Sequence, residues 1–198
     1  MMAGREILPY GPATAHLGSA MHPQRRRMAW INVLGGTAVL GSYVHGLATH
    51  PATRGEIWGN VPDTLRPAYT ITMLLAAAGY FAFTYLFFFR VDPDAIRIGR
   101  RFGFGAINTL YAGVLVPSAL WLPLTFAMIE SPNELLWMAI RLVLAVVGLS
   151  SAGLLASLLF MRPRPRGWAF PVAVAGCAAF CLQTAVLDAL IWPAFFPV

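Results

Sequence analysis

The side chains of this chain that could take part in chemistry are polar groups inside or just beside long apolar runs. Ionisable groups at membrane depth are costly, and by default they indicate binding sites, ion pathways or proton relays. At a rise of about 1.5 Å per residue, His45 and Asp188 lie roughly 25 and 30 Å from the starts of their runs, near the far membrane surface. Polar residues from the other apolar runs, and from one loop, are expected near this same membrane surface. We therefore predict a ligand-binding set, the outer polar cluster, made of His45, His50, Asp63, Arg66, Tyr69, Arg141, Gln183 and Asp188.

Of these groups, Arg141 costs the most free energy to place in a membrane, because it lies inside an apolar run about 10 Å along the helix from Glu134. An unpaired guanidinium there would cost on the order of 2–3 kcal/mol. Asp188 is the only carboxylate inside an apolar run, and Glu134 is the second candidate partner. We expect an Arg141–Asp188 ion pair that closes one end of the molecule. If the two are apart, Arg141 becomes a candidate anion-binding residue.

No complete set of catalytic residues is evident, so no catalytic residue is predicted. His45 and Asp188 could act as an acid/base pair, but no nucleophile or third orienting group accompanies them. All 14 basic residues are arginine, and a chain without lysine cannot form a retinal or pyridoxal Schiff base. Cys177 and Cys181 are four apart in an apolar run, which indicates two free thiols on one helix face.

Heme and zinc are poorly supported by the ligands available. His45 is the only histidine at membrane level, and His50 follows it on the same run, so heme would need Met73 or Met128 as a second ligand. His45, His50 and Asp63 do not show a recognised zinc spacing. We predict no metal site, and the sequence names no cofactor.

Five apolar stretches must position these groups. The chain has 198 residues, 58% of them hydrophobic and only 11% charged, whereas soluble domains carry about a quarter charged residues. We predict an all-α integral membrane protein, a bundle of five transmembrane helices.

Pro117 and Pro123 should kink or partly unwind the third helix. Gly148, Ala152 and Ala156 give the fourth helix a face that allows close packing. The predicted spans are 28–49, 68–89, 105–128, 135–160 and 167–192, preceded by a basic tail over 1–27, so that 28–198 forms one transmembrane domain.

Arginine is distributed unequally between the two sides of these spans. Eleven of the 14 arginines lie in the tail and in the second and fourth loops, whereas the opposite loops hold only Arg54 and Arg66. The positive-inside rule then places the N-terminus in the cytoplasm and the C-terminus outside, in the inner (cytoplasmic) membrane. The rule also accounts for the net charge of +6, so we do not expect nucleic-acid binding.

One short segment resembles a known family. Leu115-Val116-Pro117-Ser118-Ala119-Leu120-Trp121 is similar to a Leu-Leu-Pro-Tyr-Leu-x-Trp run in the last helix of the tryptophan-rich sensory/translocator proteins. Those proteins have five spans and bind porphyrins and sterols. Here the run covers under a tenth of the chain and falls in the third span, and the rest of the family's aromatic pattern is absent. It does not assign the chain to that family.

Three functions are consistent with these patterns. The first is a binding protein, a sensor or carrier that holds a small apolar or amphipathic ligand in the outer half of the bundle. A monomer or a homodimer would fit this function. The second is an accessory subunit of a larger membrane complex, because small-residue faces favour helix association and the inner loops are basic. The third, an intramembrane enzyme using His45 and Asp188, is the weakest. In each case the lipid bilayer surrounds the protein.

Overall fold

The computed structural model describes residues 21–197, which form five long helices joined by short loops. Residues 1–20 of the predicted basic tail lie outside the described residues. The helices are α1 Pro23–Thr49, α2 Arg66–Tyr85, α3 Phe104–Glu130, α4 Glu134–Phe160 and α5 Ala169–Cys181. A π-helical turn, Leu86–Arg90, extends α2, and a π-helical segment, Leu182–Ile191, joins α5 to a last turn, α6 Trp192–Phe195. A two-residue pairing of β1 Arg97–Ile98 with β2 Met161–Arg162 ties two loops together at one end.

Four of the five long helices are long and apolar enough to cross a membrane: Arg66–Arg90, Phe104–Glu130, Glu134–Phe160 and Ala169–Phe195. Large apolar side chains such as Phe81, Leu135 and Leu149 point outward from them. Monomeric soluble proteins rarely expose so much apolar surface, whereas a helix surrounded by lipid needs an apolar outer surface. The chain is therefore a helical protein of the membrane class, with four helices that meet the criteria for a span.

Helix α1 is as long as α3 and α4 but less apolar, which is why it falls short of those criteria. It also begins five residues before the predicted start at Met28. Pro23 occupies the first helical turn, where a missing N–H costs nothing. The His22 side chain accepts a hydrogen bond from the Gln24 N–H at 3.2 Å and caps the helix. The three arginines that follow are good helix formers, so the helix extends through the basic segment.

The helices pack in the order α1, α3, α4, α5, α2. The Tyr80 hydroxyl donates to Asn32 Oδ1 at 2.6 Å, linking α2 to α1. One apolar core, around Tyr111 and Phe83, lies toward the end where α1 begins, which we call the arginine-rich end. A second core, around Trp192 and Ile140, lies toward the opposite, arginine-poor end. The loop after α1 docks there, because Trp192 Nε1 donates to the Ile57 carbonyl at 3.0 Å.

Helix α3 is an unbroken α-helix through Pro117 and Pro123, so the expectation of partial unwinding was wrong. The departure from α-helical geometry occurs instead over Leu182–Ile191, within the continuous helix Ala169–Phe195 that we call the fifth helix. A helix that packs on both sides can keep its α-helical hydrogen bonding through a proline, and α3 contacts both α1 and α4. The predicted small-residue face of α4 does allow close packing, since a Cβ added at Gly148 would lie 3.0 Å from Ala185 Cα.

The backbones of α2 and α5 are in direct contact where Gly79 meets Gly176. A Cβ added at Gly79 would lie 2.8 Å from Gly176 Cα and closer still to the Gly176 carbonyl oxygen. Backbone cannot move aside as a side-chain end can, so only glycine fits at this crossing. The sequence gives no sign of this pair, because the two residues belong to helices far apart in the chain.

We predict that Gly79→Ala lowers the stability of the protein by about 1–3 kcal/mol, because the added methyl forces the two backbones apart. Thermal unfolding in detergent, followed by circular dichroism, measures the change. Gly36→Ala is the matched control, since a Cβ at Gly36 meets nothing within 4 Å. An equal melting temperature for the two variants would contradict the prediction.

Candidate ligand-binding site

The structure divides the outer polar cluster into separate groups rather than bringing it together. His50, Asp63 and Arg66 belong to the loop region at the arginine-poor end. Gln183, Asp188 and Tyr69 face one another within the bundle. Arg141 and His45 lie on its outer surface.

His50 fastens the end of α1 to the end of α3. Its Nε2 lies 3.1 Å from Glu130 Oε1, and its ring stacks on Phe126 with centroids 4.1 Å apart. Its Nδ1 lies 2.9 Å from the Gly46 carbonyl oxygen. With both ring nitrogens and one ring face engaged by the protein, His50 is a structural residue.

Asp63 and Arg66 form the ion pair that their spacing indicates, with Arg66 Nη1 2.9 Å from Asp63 Oδ1. The Arg66 guanidinium also lies 6.0 Å from the centre of the Trp58 ring. Its Nε donates to the Val61 carbonyl at 3.3 Å. These contacts order the loop between α1 and α2 and leave Arg66 little capacity for a ligand.

His45 is exposed on the surface of α1. In the part of the chain that the structure describes, its ring makes no hydrogen bond. Tyr43, two residues earlier and on a different side of the helix, lies close enough to Asp188 for electrostatic interaction. His45 and Asp188 thus do not form the acid/base pair that an intramembrane enzyme would need.

The expected Arg141–Asp188 ion pair was wrong. Among residues 21–197 the ion pairs are His22–Asp94, His50–Glu130 and Arg66–Asp63, and no carboxylate oxygen lies within 4.0 Å of the Arg141 guanidinium. Position along a helix does not fix the direction of a side chain. The buried stripe of α4 includes Ile140 and Leu144. Arg141 is one residue, about 100°, away from Ile140 around the helix.

Arg141 instead lines an open groove of about 690 Å³ between α4 and the fifth helix. Small residues form much of its wall: Ala145, Gly148, Ala152, Ala185 and Ala189. The groove faces outward from the bundle, so Arg141 is separate from the polar groups inside.

Within the bundle, Gln183 and Asp188 form the centre of a polar group that we call the interior set. Gln183 Nε2 donates to Asp188 Oδ1 at 2.8 Å. In a regular α-helix two residues five apart would be about 140° apart around the axis, and their side chains would diverge. The wider turn of the π-helical segment brings them to the same side. This juxtaposition was not predictable from α-helical spacing.

Neighbouring helices supply the rest of the interior set. The Tyr69 hydroxyl of α2 donates to the Leu187 carbonyl at 3.4 Å, and Tyr43 of α1 lies near the Asp188 carboxylate. The Tyr43 ring packs against Trp121 of α3, with centroids 6.0 Å apart. The interior set is thus Tyr43, Tyr69, Trp121, Gln183 and Asp188, contributed by α1, α2, α3 and the fifth helix.

Two buried polar atoms of the interior set have no hydrogen-bond partner among the described residues: Gln183 Oε1 and Trp121 Nε1. Asp188 itself is partly exposed rather than buried. Within the same range, its carboxylate accepts a hydrogen bond from Gln183 and has no cationic partner. The set therefore offers one free acceptor, one free donor and one carboxylate.

Sequence reasoning missed Tyr43 and Trp121, and it missed the buried hydrogen bond from Thr184 Oγ1 to Ser151 Oγ, 2.7 Å long, that joins the π-helical segment to α4. These four residues, Tyr43, Trp121, Ser151 and Thr184, have polar atoms and lie inside apolar runs. The same feature made His45 a candidate site residue. Tyrosine and tryptophan in membrane helices are usually assigned to the interface, and that assignment hid them. No group of three metal-ligating side chains occurs within residues 21–197. Cys177 and Cys181 are both free thiols.

The chain matches no protein-family model, no curated protein and no solved structure. The fold and the site geometry define a membrane protein with a polar interior set near one end of its helices.

We predict that Arg141→Ala changes stability by less than about 0.5 kcal/mol, as for other surface substitutions. Combined with Asp188→Asn, its effect should be additive within about 0.5 kcal/mol, because the two side chains share no contact. Unfolding of the four proteins of this cycle in detergent provides the measurement. His50→Ala is the positive control, since it removes a stacked ring and an ion pair. A large coupling energy between positions 141 and 188 would contradict the prediction and indicate that the ion pair forms.

Proposed function

We propose that this chain is a multi-pass membrane protein that binds a small amphipathic ligand in the half of the bundle near its arginine-poor end. The ligand's polar head contacts the interior set. The observation that carries the proposal is the pair of unpartnered buried atoms, Gln183 Oε1 and Trp121 Nε1. The Gln183 side chain also donates to the Asp188 carboxylate.

A buried polar atom without a partner costs about 1–3 kcal/mol. Protein structures rarely retain such atoms without a compensating contact, and here a donor and an acceptor remain in one set. A head group with one hydrogen-bond acceptor and one donor satisfies both. Asp188 and Gln183 then orient it.

The surroundings suit the apolar part of such a ligand. Trp121 lies against Trp192, with ring centroids 5.8 Å apart, and Trp192 packs on Phe196 at 4.7 Å. Ligand sites are commonly lined by aromatic side chains with a few placed polar groups. The π-helical segment adds support, because π-helical turns occur frequently at functional sites.

A second function, that of an accessory subunit, is favoured by a different observation. The groove beside Arg141 is lined by small residues and faces outward, and small residues at a helix surface permit another helix to approach closely. A partner helix with an acidic side chain would suit Arg141. Stoichiometric partner chains on purification would support this alternative.

We further propose that α1 is a fifth span, with the arginine-rich end in the cytoplasm. Helix α1 has 27 residues and packs along α3, with Gly35 against Leu115 and Gly46 against Leu122. Leu34, Leu40 and Val44 point outward from it as lipid-facing residues would. The arginine distribution supports this orientation, which corresponds to a multi-pass protein of the inner membrane.

Cysteine accessibility in intact cells tests this topology. In a Cys177→Ala, Cys181→Ala background, we expect a membrane-impermeant maleimide to label Arg54→Cys and Ser131→Cys. Met21→Cys and Arg166→Cys should react only after lysis. All four positions are exposed. Labelling of positions 21 and 54 from the same side would show that α1 does not cross the membrane, and labelling of position 166 in intact cells would reverse the orientation.

Ligand binding is tested by mass spectrometry of small molecules that co-purify with the full chain in mild detergent. We expect Asp188→Asn to lower the amount bound by about tenfold or more, because a hydrogen bond to a charged group is worth about 1.5–3 kcal/mol. Trp121→Phe should lower it by about two- to tenfold, because it removes a neutral donor whose hydrogen bond is worth about 0.5–1.5 kcal/mol. Arg141→Gln is the control and should retain the ligand. Equal retention by all variants, or no co-purifying molecule with wild type, would contradict the proposal.

A further inference from the structure

We propose that a groove between α1 and α3 at the arginine-rich end binds an anionic phospholipid. The groove has a volume of about 840 Å³ and opens to the outside of the bundle. It lies at the opposite end from the interior set, so it does not depend on the function proposed above. It does rest on the insertion of α1 in the membrane.

The mouth of the groove carries two arginines without a described counter-charge. Arg26 and Arg27 both line it and are both exposed. No carboxylate oxygen of residues 21–197 lies within 4.0 Å of either guanidinium, and the nearby Asp94 pairs with His22 at 3.2 Å. Arg25, their neighbour, is engaged differently, since its Nη2 donates to the Val91 carbonyl at 3.2 Å. Guanidinium groups are suited to the oxygens of a phosphate group, and two of them line this groove.

Below the arginines the groove becomes apolar. Arg27, Trp30, Ile31 and Leu34 follow one another at helical spacing along α1 and line it. Ala112 and Leu115 of α3 line its other side. A small side chain at position 112 leaves room between the helices. Charge at one end and an apolar channel along the helices match a phospholipid, whose phosphate lies at the surface and whose acyl chains extend inward.

The position of Trp30 supports placing the phosphate of the lipid at the two arginines. Trp30 is largely exposed and lies one turn from Arg26 and Arg27, where the head-group region meets the hydrocarbon. Tryptophan is enriched at that level. Basic pockets between membrane helices on the cytoplasmic side are suited to anionic head groups, and the proposed orientation places this groove on that side. A soluble anion would use the arginines but not the apolar channel.

Native mass spectrometry of the detergent-solubilised full chain tests the proposal, with phosphatidylglycerol and phosphatidylcholine added in turn. We expect the protein to retain phosphatidylglycerol in preference to phosphatidylcholine. Arg26→Gln with Arg27→Gln should reduce the phosphatidylglycerol-bound fraction by about tenfold, because both guanidiniums line the groove and are placed to pair with the phosphate. Arg100→Gln with Arg166→Gln is the matched control. It removes the same charge from exposed positions at the same end and should change binding by less than about twofold, because neither residue lines the groove.

Two further variants separate the groove from general charge effects. Ala112→Phe fills the apolar channel while both arginines remain, and it should also reduce phosphatidylglycerol retention. A photoreactive p-benzoyl-phenylalanine at Leu34 should form an adduct of phospholipid mass in membranes. Equal loss in the control double variant, unchanged binding in Ala112→Phe, or cross-linking of position 34 to residues 1–20 or to a second copy would each overturn the proposal.

Discussion

The π-helical segment Leu182–Ile191 is the feature on which the arrangement of polar groups in this protein depends. It brings Gln183 to hydrogen-bonding distance of Asp188 and presents the Leu187 carbonyl to the Tyr69 hydroxyl. In hydrocarbon every backbone group must find a partner within the protein, so a change of helical pitch needs support from neighbouring helices. The Thr184–Ser151 hydrogen bond provides it on the α4 side.

The α2–α5 crossing sets the geometry on the other side of this segment. Because Gly79 and Gly176 let the two backbones approach closely, α2 is held near enough for Tyr69 to reach the fifth helix. Packing of small residues and the polar contacts thus act together. Helix association in lipid relies on such packing and on interhelical hydrogen bonds, since there is no hydrophobic driving force between helices there.

The two ends of the molecule differ in their surroundings, although each has two unpaired buried atoms among the described residues: Gln183 Oε1 and Trp121 Nε1 at one end, Arg25 Nε and Asn108 Oδ1 at the other. At the arginine-poor end, aromatic and polar side chains surround an incompletely paired set of buried atoms. At the arginine-rich end, loops are tied together by backbone contacts, as in the pairing of Arg97 with Arg162, and Arg26 and Arg27 point outward. A small head group inside the bundle and a lipid outside it are the ligands that these two environments suit. Arg141 belongs to neither, because it faces a separate groove.

The sequence by itself determined the helical membrane class, the approximate limits of the long helices and the local Asp63–Arg66 pair, because these follow from apolar composition and from spacing within one turn. Helix α1 was predicted less well, since a capped basic segment can extend a helix beyond its apolar part. The tertiary structure decided which polar groups meet. Arg141 and Asp188 lie at a similar level on neighbouring helices, yet helix rotation and a π-helical turn direct them to different surroundings. Gly79 and Gly176 meet only because α2 packs on α5, and contact between helices distant in the chain leaves no periodic signal in the sequence.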